Sequence, residues 1–253
     1  VWSDAEDEIL LLQDRSAFEI WDLNRWQQLA RTEGRVIARD VKLSRLLAQT
    51  SEGFFLLELA HQRVTPLTFA KGLEISPQTL AAFTYDQNGL GILTSGGRLS
   101  ALNASFQVVP LSWPPSVDDP AESRQLCLGR DLVAVSYRNS LVRCYNLGER
   151  RISAQVELGF LPETLSFDAS GQLLVASSPL EHAVLDQDGQ TLLRGKGPCS
   201  LDSDGKRCLL WREPYLRLYQ LNPFRHLRTW EESVAKPILI QVARDGRCTL
   251  SQA

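Results

Sequence analysis

One hexapeptide, Phe18 to Leu23 (FEIWDL), constrains this chain more than any other stretch, because segments like it return five more times before the C-terminus. The copies align on the residue after the aromatic or aliphatic one, so that Asp22 matches Glu58, Asn103, Asn146, Asp186 and Gln220, with separations of 36, 45, 43, 40 and 34 residues. The residue before each is Trp21, Leu57, Leu102, Tyr145, Leu185 and Tyr219, and two before stand Ile20, Leu56, Ala101, Cys144, Val184 and Leu218. Four before stand Phe18, Phe54, Leu99, Val142, His182 and Leu216, while the position between is often polar, as at Glu19, Ser100, Arg143 and Arg217. Alternation of this kind is the period of a strand with one buried face.

A second, more uniformly apolar run precedes each copy: Ile9 to Leu12, Leu46 to Ala48, Leu90 to Leu93, Leu132 to Val135, Leu173 to Ala176 and Cys208 to Trp211. Short runs without alternation read as central strands covered on both faces. Tight-turn pairs stand before several of them, at Asn88–Gly89, Ser170–Gly171 and Asp204–Gly205, with Asp245–Gly246 near the end. Such residues supply the positive φ that hairpin turns need. A more polar segment follows many of the copies, as at Trp26 to Thr32, Arg63 to Phe69, Arg150 to Leu158 and His226 to Trp230. These fit outer edge strands.

A four-stranded antiparallel unit recurring every ~40 residues is the signature of a β-propeller blade. The Trp21–Asp22 dipeptide, closing a strand after Phe18 and Ile20, resembles the WD40 repeat, and Tyr145–Asn146 and Tyr219–Gln220 resemble degraded copies. The Gly-His dipeptide that opens a standard WD40 repeat is absent, so period and strand pattern carry most of this resemblance. It implies an all-β fold, a propeller of six to seven four-stranded blades built from residues 1–253 as one domain. The chain opens on Val1 and has no methionine, so it is expected to be part of a larger polypeptide.

The first unit has few residues ahead of Ile9 for an inner strand, whereas the last, Ile238 to Ala243 with Cys248 to Ser251, has only an inner pair. Two closures follow. Ile238 to Ala243 could add to the first blade and lock a six-bladed ring, or it could begin a seventh blade. An unclosed ring would leave a strand edge unpaired.

Several function classes find no support. At 253 residues and 43% hydrophobic composition the chain can bury one sizeable core, and its net charge of −3 does not suggest a nucleic-acid binder. No run of 18 apolar residues suggests a membrane span, and the acidic SDAEDE stretch is unlike a secretory leader. The five cysteines form no CxxC pair, so no zinc site is expected, and their odd number suits a reducing, cytoplasmic compartment. Cys144 and Cys208 occupy apolar strand positions. His61, His182 and His226 are the only histidines: His182 replaces an apolar strand residue and should pack, and the others should face water. No GxSxG, HExxH or P-loop occurs, the Ser95–Arg98 stretch reads as a hairpin turn, and neither a cofactor nor catalytic residues are expected.

In a propeller the turns joining second to third strands emerge at the same end as the connections between blades. Here those segments carry Arg15, Arg138 and Arg212 in the first class and Lys71 and Lys196 in the second, a mixed surface with a basic lean. Trp113, in the proline-rich connection Ser112 to Glu122, is an aromatic on a loop, the kind of residue that anchors partners. These six residues form the candidate partner-binding set, suited to a protein or peptide, acidic or phosphate-bearing. The opposite end, with its short turns, offers less. Resemblance to WD40 domains implies a non-catalytic interaction module, acting as scaffold, sensor or restraint on an attached effector domain. Two alternatives remain: an enzyme with its site at the central channel, or a subunit whose Trp2, Trp113 and Trp230 are buried against other chains.

Overall fold

The computed structural model describes residues 2–3, 9–14, 16–39, 45–51, 53–58, 63–67, 79–83, 90–93, 97, 99–102, 108–110, 122–202, 205–212, 214–231, 239–242 and 248–251. Sheet I holds β1 (Trp2–Ser3), β2 (Ile9–Gln13), β3 (Ala17–Asp22) and β4 (Gln27–Glu33). Sheet II holds β5 (Arg35–Arg39), β6 (Arg45–Thr50), β7 (Gly53–Glu58) and β8 (Arg63–Leu67). Sheet III holds β9 (Leu80–Phe83), β10 (Leu90–Leu93), β11 (Leu99–Leu102) and β12 (Val108–Pro110). Sheet IV holds β13 (Ser123–Leu128), β14 (Leu132–Tyr137), β15 (Leu141–Asn146) and β16 (Arg151–Glu157). Sheet V holds β17 (Thr164–Phe167), β18 (Leu174–Ser177), β19 (Glu181–Leu185) and β20 (Thr191–Lys196). Sheet VI holds β21 (Cys199–Leu201), β22 (Arg207–Arg212), β23 (Tyr215–Gln220) and β24 (Arg225–Glu231), and β25 (Leu239–Val242) pairs with β26 (Cys248–Ser251) as sheet VII.

Among the described residues, six sheets thus have four strands in sequence order, all neighbours antiparallel, and the seventh has two. Of the two closures the sequence allows, this arrangement matches the one in which the last pair starts a seventh unit. The first sheet corrects one expectation. Two residues are enough for an innermost strand, because Trp2 pairs with Leu11 and Ser3 with Leu10. Successive sheets meet through their first strands, β5 against β9, β9 against β13, β13 against β17 and β21 against β25.

Burial follows the strand roles read from the sequence. All six residues of β14 and all four of β18 are buried, as central strands must be. The third strand β3 alternates, with Phe18 and Ile20 fully buried, and the fourth strands β4 and β24 are mostly exposed. Burying Phe18 contributes about 2 kcal/mol. The core lies between sheets: Cys127, Leu132, Ala134 and Cys144 of sheet IV pack on Leu165, Phe167, Leu174 and Ala176 of sheet V. Burial holds the Cys127 thiol well above its ordinary range and pushes Cys144 up to about 12, and a hydrogen bond with Cys199 together with burial holds Cys208 well above its range, so all three keep their protons.

In sheets I, IV and V the polar residue at the end of the third strand caps the turn that follows. Asp22 Oδ1 accepts the Arg25 N–H at 3.0 Å, Asn146 Oδ1 accepts Glu149 N–H at 2.9 Å, and Asp186 Oδ1 accepts the N–H groups of Asp188 and Gln190 at 3.0 and 2.8 Å. Short acceptor side chains satisfy turn donors in this way, which explains the residue type at the repeat's fixed point. After the turn, the fourth strand takes one extra residue: Leu29, Ser153, Leu192 and Leu227 each stand unpaired at a register shift in sheets I, IV, V and VI. A bulge twists an edge strand away from foreign strands, so the repeated shift protects the outer rim.

Candidate functional site

With neighbours antiparallel in order, each sheet has two ends. The turns from second to third strand lie at one end with the connections between sheets, and the turns from first to second and third to fourth lie at the other. Hydrogen bonds confirm the first grouping. Arg138, in the β14–β15 turn, donates its N–H to the Glu122 carbonyl just before β13 (2.9 Å), and Gly197, between sheets V and VI, donates to the Leu180 carbonyl of the β18–β19 turn.

At this connector end the structure brings three of the six candidate residues to neighbouring sheets IV to VI. The Arg138 guanidinium reaches Glu122 at 3.5 Å, with both side chains about half exposed. Such surface pairs contribute about 0–1 kcal/mol. Lys196 ends β20, exposed and opposite Glu181 in the register, and Arg212 ends β22 opposite Tyr215. Arg15, Lys71 and Trp113 lie outside the described residues. Near the described cations stand as many acids: Glu122, Glu157, Glu163 and Glu181 against Arg124, Arg138, Arg194 and Lys196. Among the described residues, the basic lean expected of this end is therefore not seen in sheets IV and V.

The apolar residues here were not singled out from the sequence. Leu161, in the connection from sheet IV to sheet V, is 53% exposed, and Leu180, at the tip of the β18–β19 turn, is 62% exposed. A chain of contacts joins them. Next to Leu161, the Phe160 ring lies 5.9 Å from the Arg194 guanidinium, and Arg194 reaches Glu181, the neighbour of Leu180, at 3.6 Å. Ser178 holds the turn, its hydroxyl accepting the Glu181 N–H at 3.0 Å while donating to the Glu181 carbonyl at 3.1 Å. Each exposed leucine therefore adjoins a residue that Arg194 contacts. The available signal was their position: apolar residues beside Pro162 and Pro179 in turns, where polar ones are usual.

Other sequence expectations are placed as follows. His182 is buried, with Nδ1 2.9 Å from the Gly197 carbonyl, so it packs and ties sheet V to the next connection. His226 is exposed, edge-on to Tyr219 and 2.8 Å from the Thr229 hydroxyl. Trp230 is partly buried on its own sheet, against Leu209 and Leu216 and under Arg228. Nothing is described of His61. Among the described residues no three His, Cys, Asp or Glu side chains are grouped to hold a metal, and no helix is long and apolar enough to cross a membrane.

At the opposite end, two buried aspartates organise the first-to-second turns of sheets V and VI. Asp168 Oδ1 accepts the N–H groups of Gln172 and Leu173, both at 2.9 Å, and its Oδ2 accepts the Ser170 hydroxyl. Asp202 Oδ1 accepts Lys206 and Arg207 N–H at 2.7 and 3.1 Å. Both fall in an Asp-x-x-Gly pattern, Asp168 to Gly171 and Asp202 to Gly205, of which the turn pairs Ser170–Gly171 and Asp204–Gly205 are the last two residues. Gly205 has φ +62° and sits so close to the neighbouring turn that a Cβ would lie 2.8 Å from the Ala169 nitrogen. Between these turns opens a cleft of about 420 Å³ lined by Asp168, Ser170, Lys206, Arg207, Gln220 and Asn222, among others.

No protein-family profile and no curated protein sequence matches the chain. Among solved structures it is similar to the β-propeller domain of Cps50 (Swd1) from Myceliophteria thermophila, with a TM-score of 0.54 over 95% of this chain and 88% of that one, at 12% identity. The chain is a β-propeller. Its six four-stranded sheets are blades, and the resemblance to WD40 repeats stands at the level of fold.

Proposed function

We propose that this propeller is a non-catalytic interaction module whose connector end, in blades IV to VI, receives a protein or peptide partner. The observation that carries this is the pair Leu161 and Leu180, 53% and 62% exposed around the Arg194–Glu181 ion pair. The other large exposed apolar side chains near the bulges, Leu29, Leu192 and Leu227, recur at one structural position and are explained by it. Nothing in the repeat requires Leu161 or Leu180 to face water. Exposed apolar anchors rimmed by charge are the usual make-up of a partner site. Arg138, Lys196 and Arg212 would form its polar rim, with Arg15, Lys71 and Trp113 as further candidates. A scaffold or sensor role beside an effector domain belongs to the same reading.

The test is photo-crosslinking in lysate of the source cells, with the crosslinking amino acid placed in turn at Leu161, Leu180 and Lys196 and, as controls, at Leu192 and Leu227. A discrete partner captured from the first three positions and blocked by Leu180→Ser is the expected result. Capture from Leu192 and Leu227 alone would sink the assignment.

A further inference from the structure

Two thiols of blade VI are placed to react with each other. Cys199 opens β21 and Cys208 stands second on β22, in a register that sets Cys199 against Leu210 and Leu201 against Cys208. Residues two apart on a strand share a face, so the cysteines are diagonal neighbours on one face of the sheet. It is the face that blade V covers, where Cys199 packs against the buried cluster of Val175, Val184, Cys208 and Leu210. A hydrogen bond joins the two side chains, and both thiols are free. The backbone holds them in place: the Cys199 N–H donates to Ser177 Oγ at 3.0 Å, and β22 is paired on both sides.

The pair is asymmetric. Cys208 is fully buried and keeps its proton, so its S–H is the donor and the Cys199 sulfur the acceptor. Cys199 is only partly buried, so it is the member that meets solvent. Blade IV supplies an internal comparison. Cys127 and Cys144 lie in one row with Ala134 of β14 between them, so two strand spacings, about 9–10 Å, hold them apart. Both are buried.

We infer that Cys199 and Cys208 form a peroxide-sensitive pair, in which Cys199 is oxidised and Cys208 converts it to a reversible disulfide. The Cys199 sulfur attacks hydrogen peroxide and the O–O bond breaks, leaving a sulfenic acid and water. The Cys208 sulfur then attacks the Cys199 sulfur, the S–O bond breaks, and the Cys208 proton leaves with the hydroxide as water. Peroxide takes up the two electrons. Diagonal neighbours lie about 7–8 Å apart between Cα atoms, whereas a disulfide spans about 4.4–6.8 Å. Closing the bond therefore draws the short strand β21 towards Cys208. A disulfide strained in this way is readily reduced, as a reversible switch requires. The pair stands or falls independently of the partner surface proposed above.

Thiol mapping on the whole chain tests it. The folded protein is treated with hydrogen peroxide, quenched, unfolded in urea, alkylated and digested with trypsin without reduction. One cross-linked species of peptides 197–206 and 208–212, lighter than their sum by two hydrogens, is the expected product. Alkylation of Cys199 and Cys208 should fall together by tenfold or more and return with dithiothreitol, while Cys127 and Cys144 stay alkylated. In Cys208→Ala the same treatment should leave a sulfenic acid on Cys199 that dimedone traps, and in Cys199→Ala the Cys208 thiol should remain alkylated. Undiminished alkylation of Cys199 and Cys208 in the native chain, or linkage of Cys199 to a cysteine other than Cys208, overturns the pair whether or not the variants fold. Oxidation of Cys208 in Cys199→Ala overturns the order of attack.

Discussion

Gly197 is where blade V is locked to blade VI, and replacing it with alanine tests how that joint is made. Its φ is +93°, outside the range a side chain tolerates, and an added Cβ would lie 2.7 Å from Trp211 Cδ1 and 2.9 Å from the Trp211 carbonyl oxygen. Its N–H donates to the Leu180 carbonyl and its own carbonyl sits 2.9 Å from His182 Nδ1, so the backbone cannot swing away without losing both contacts. Forcing a Cβ-bearing residue to positive φ costs about 1–2 kcal/mol, and overpacking a buried side chain costs about 1–3 kcal/mol. The reduced entropy of the unfolded alanine chain returns about 0.4–1 kcal/mol. The net expected loss for Gly197→Ala is thus about 3 kcal/mol, read from the urea midpoint at constant m by circular dichroism. A double-mutant cycle locates the cause: in a Trp211→Leu background, where the ring is gone, Gly197→Ala should cost less by about 1 kcal/mol or more. A loss below about 0.5 kcal/mol for Gly197→Ala alone would refute the account of the joint.

Three further outcomes follow from named contacts. Trp26 is 79% exposed at φ +50°, so Trp26→Gly is expected to stabilise by about 0.5–1 kcal/mol, and a lower thermal midpoint would count against it. Asp202→Ala strands the Lys206 and Arg207 N–H groups that its carboxylate now accepts, at a cost of about 3 kcal/mol, and an unchanged urea midpoint would show the turn to be held otherwise. The raised thiols of Cys127, Cys144 and Cys208 keep their protons where the unfolded chain releases them near pH 9. Their contribution is therefore fully present below pH 9 and is lost as pH rises, at up to about 1.4 kcal/mol per unit for each thiol. Urea midpoints between pH 8 and 10 should fall less steeply in Cys144→Ala, and an identical slope would dismiss the thiol as the cause.

Most of the fold was legible because a repeated unit states its pattern several times. The alternation in FEIWDL became β3, and the matched residues Glu58, Asn146 and Gln220 close β7, β15 and β23. Chain-local signals suffice for strands and turns, whose pattern depends on neighbours two or four residues away. The inner strand β1 escaped notice because two residues carry no period, although two backbone pairings are enough to seat it. The thiol pair of blade VI escaped for another reason. Cys199 and Cys208 stand on different strands, and only the register brings them together. Leu161 and Leu180 likewise look like ordinary apolar residues until the turn that displays them is known.

The repeat also supplies the means of separating architecture from function, since each blade is a control for the others. A feature found at the same register in several blades answers to the fold: the acceptor that caps the third-to-fourth turn at Asp22, Asn146 and Asp186, and the unpaired residue at Leu29, Ser153, Leu192 and Leu227. Exposed leucine at three of those four bulges would look like a binding belt if seen alone, yet its recurrence ties it to edge protection. By the same logic, what breaks the pattern is free to serve something else.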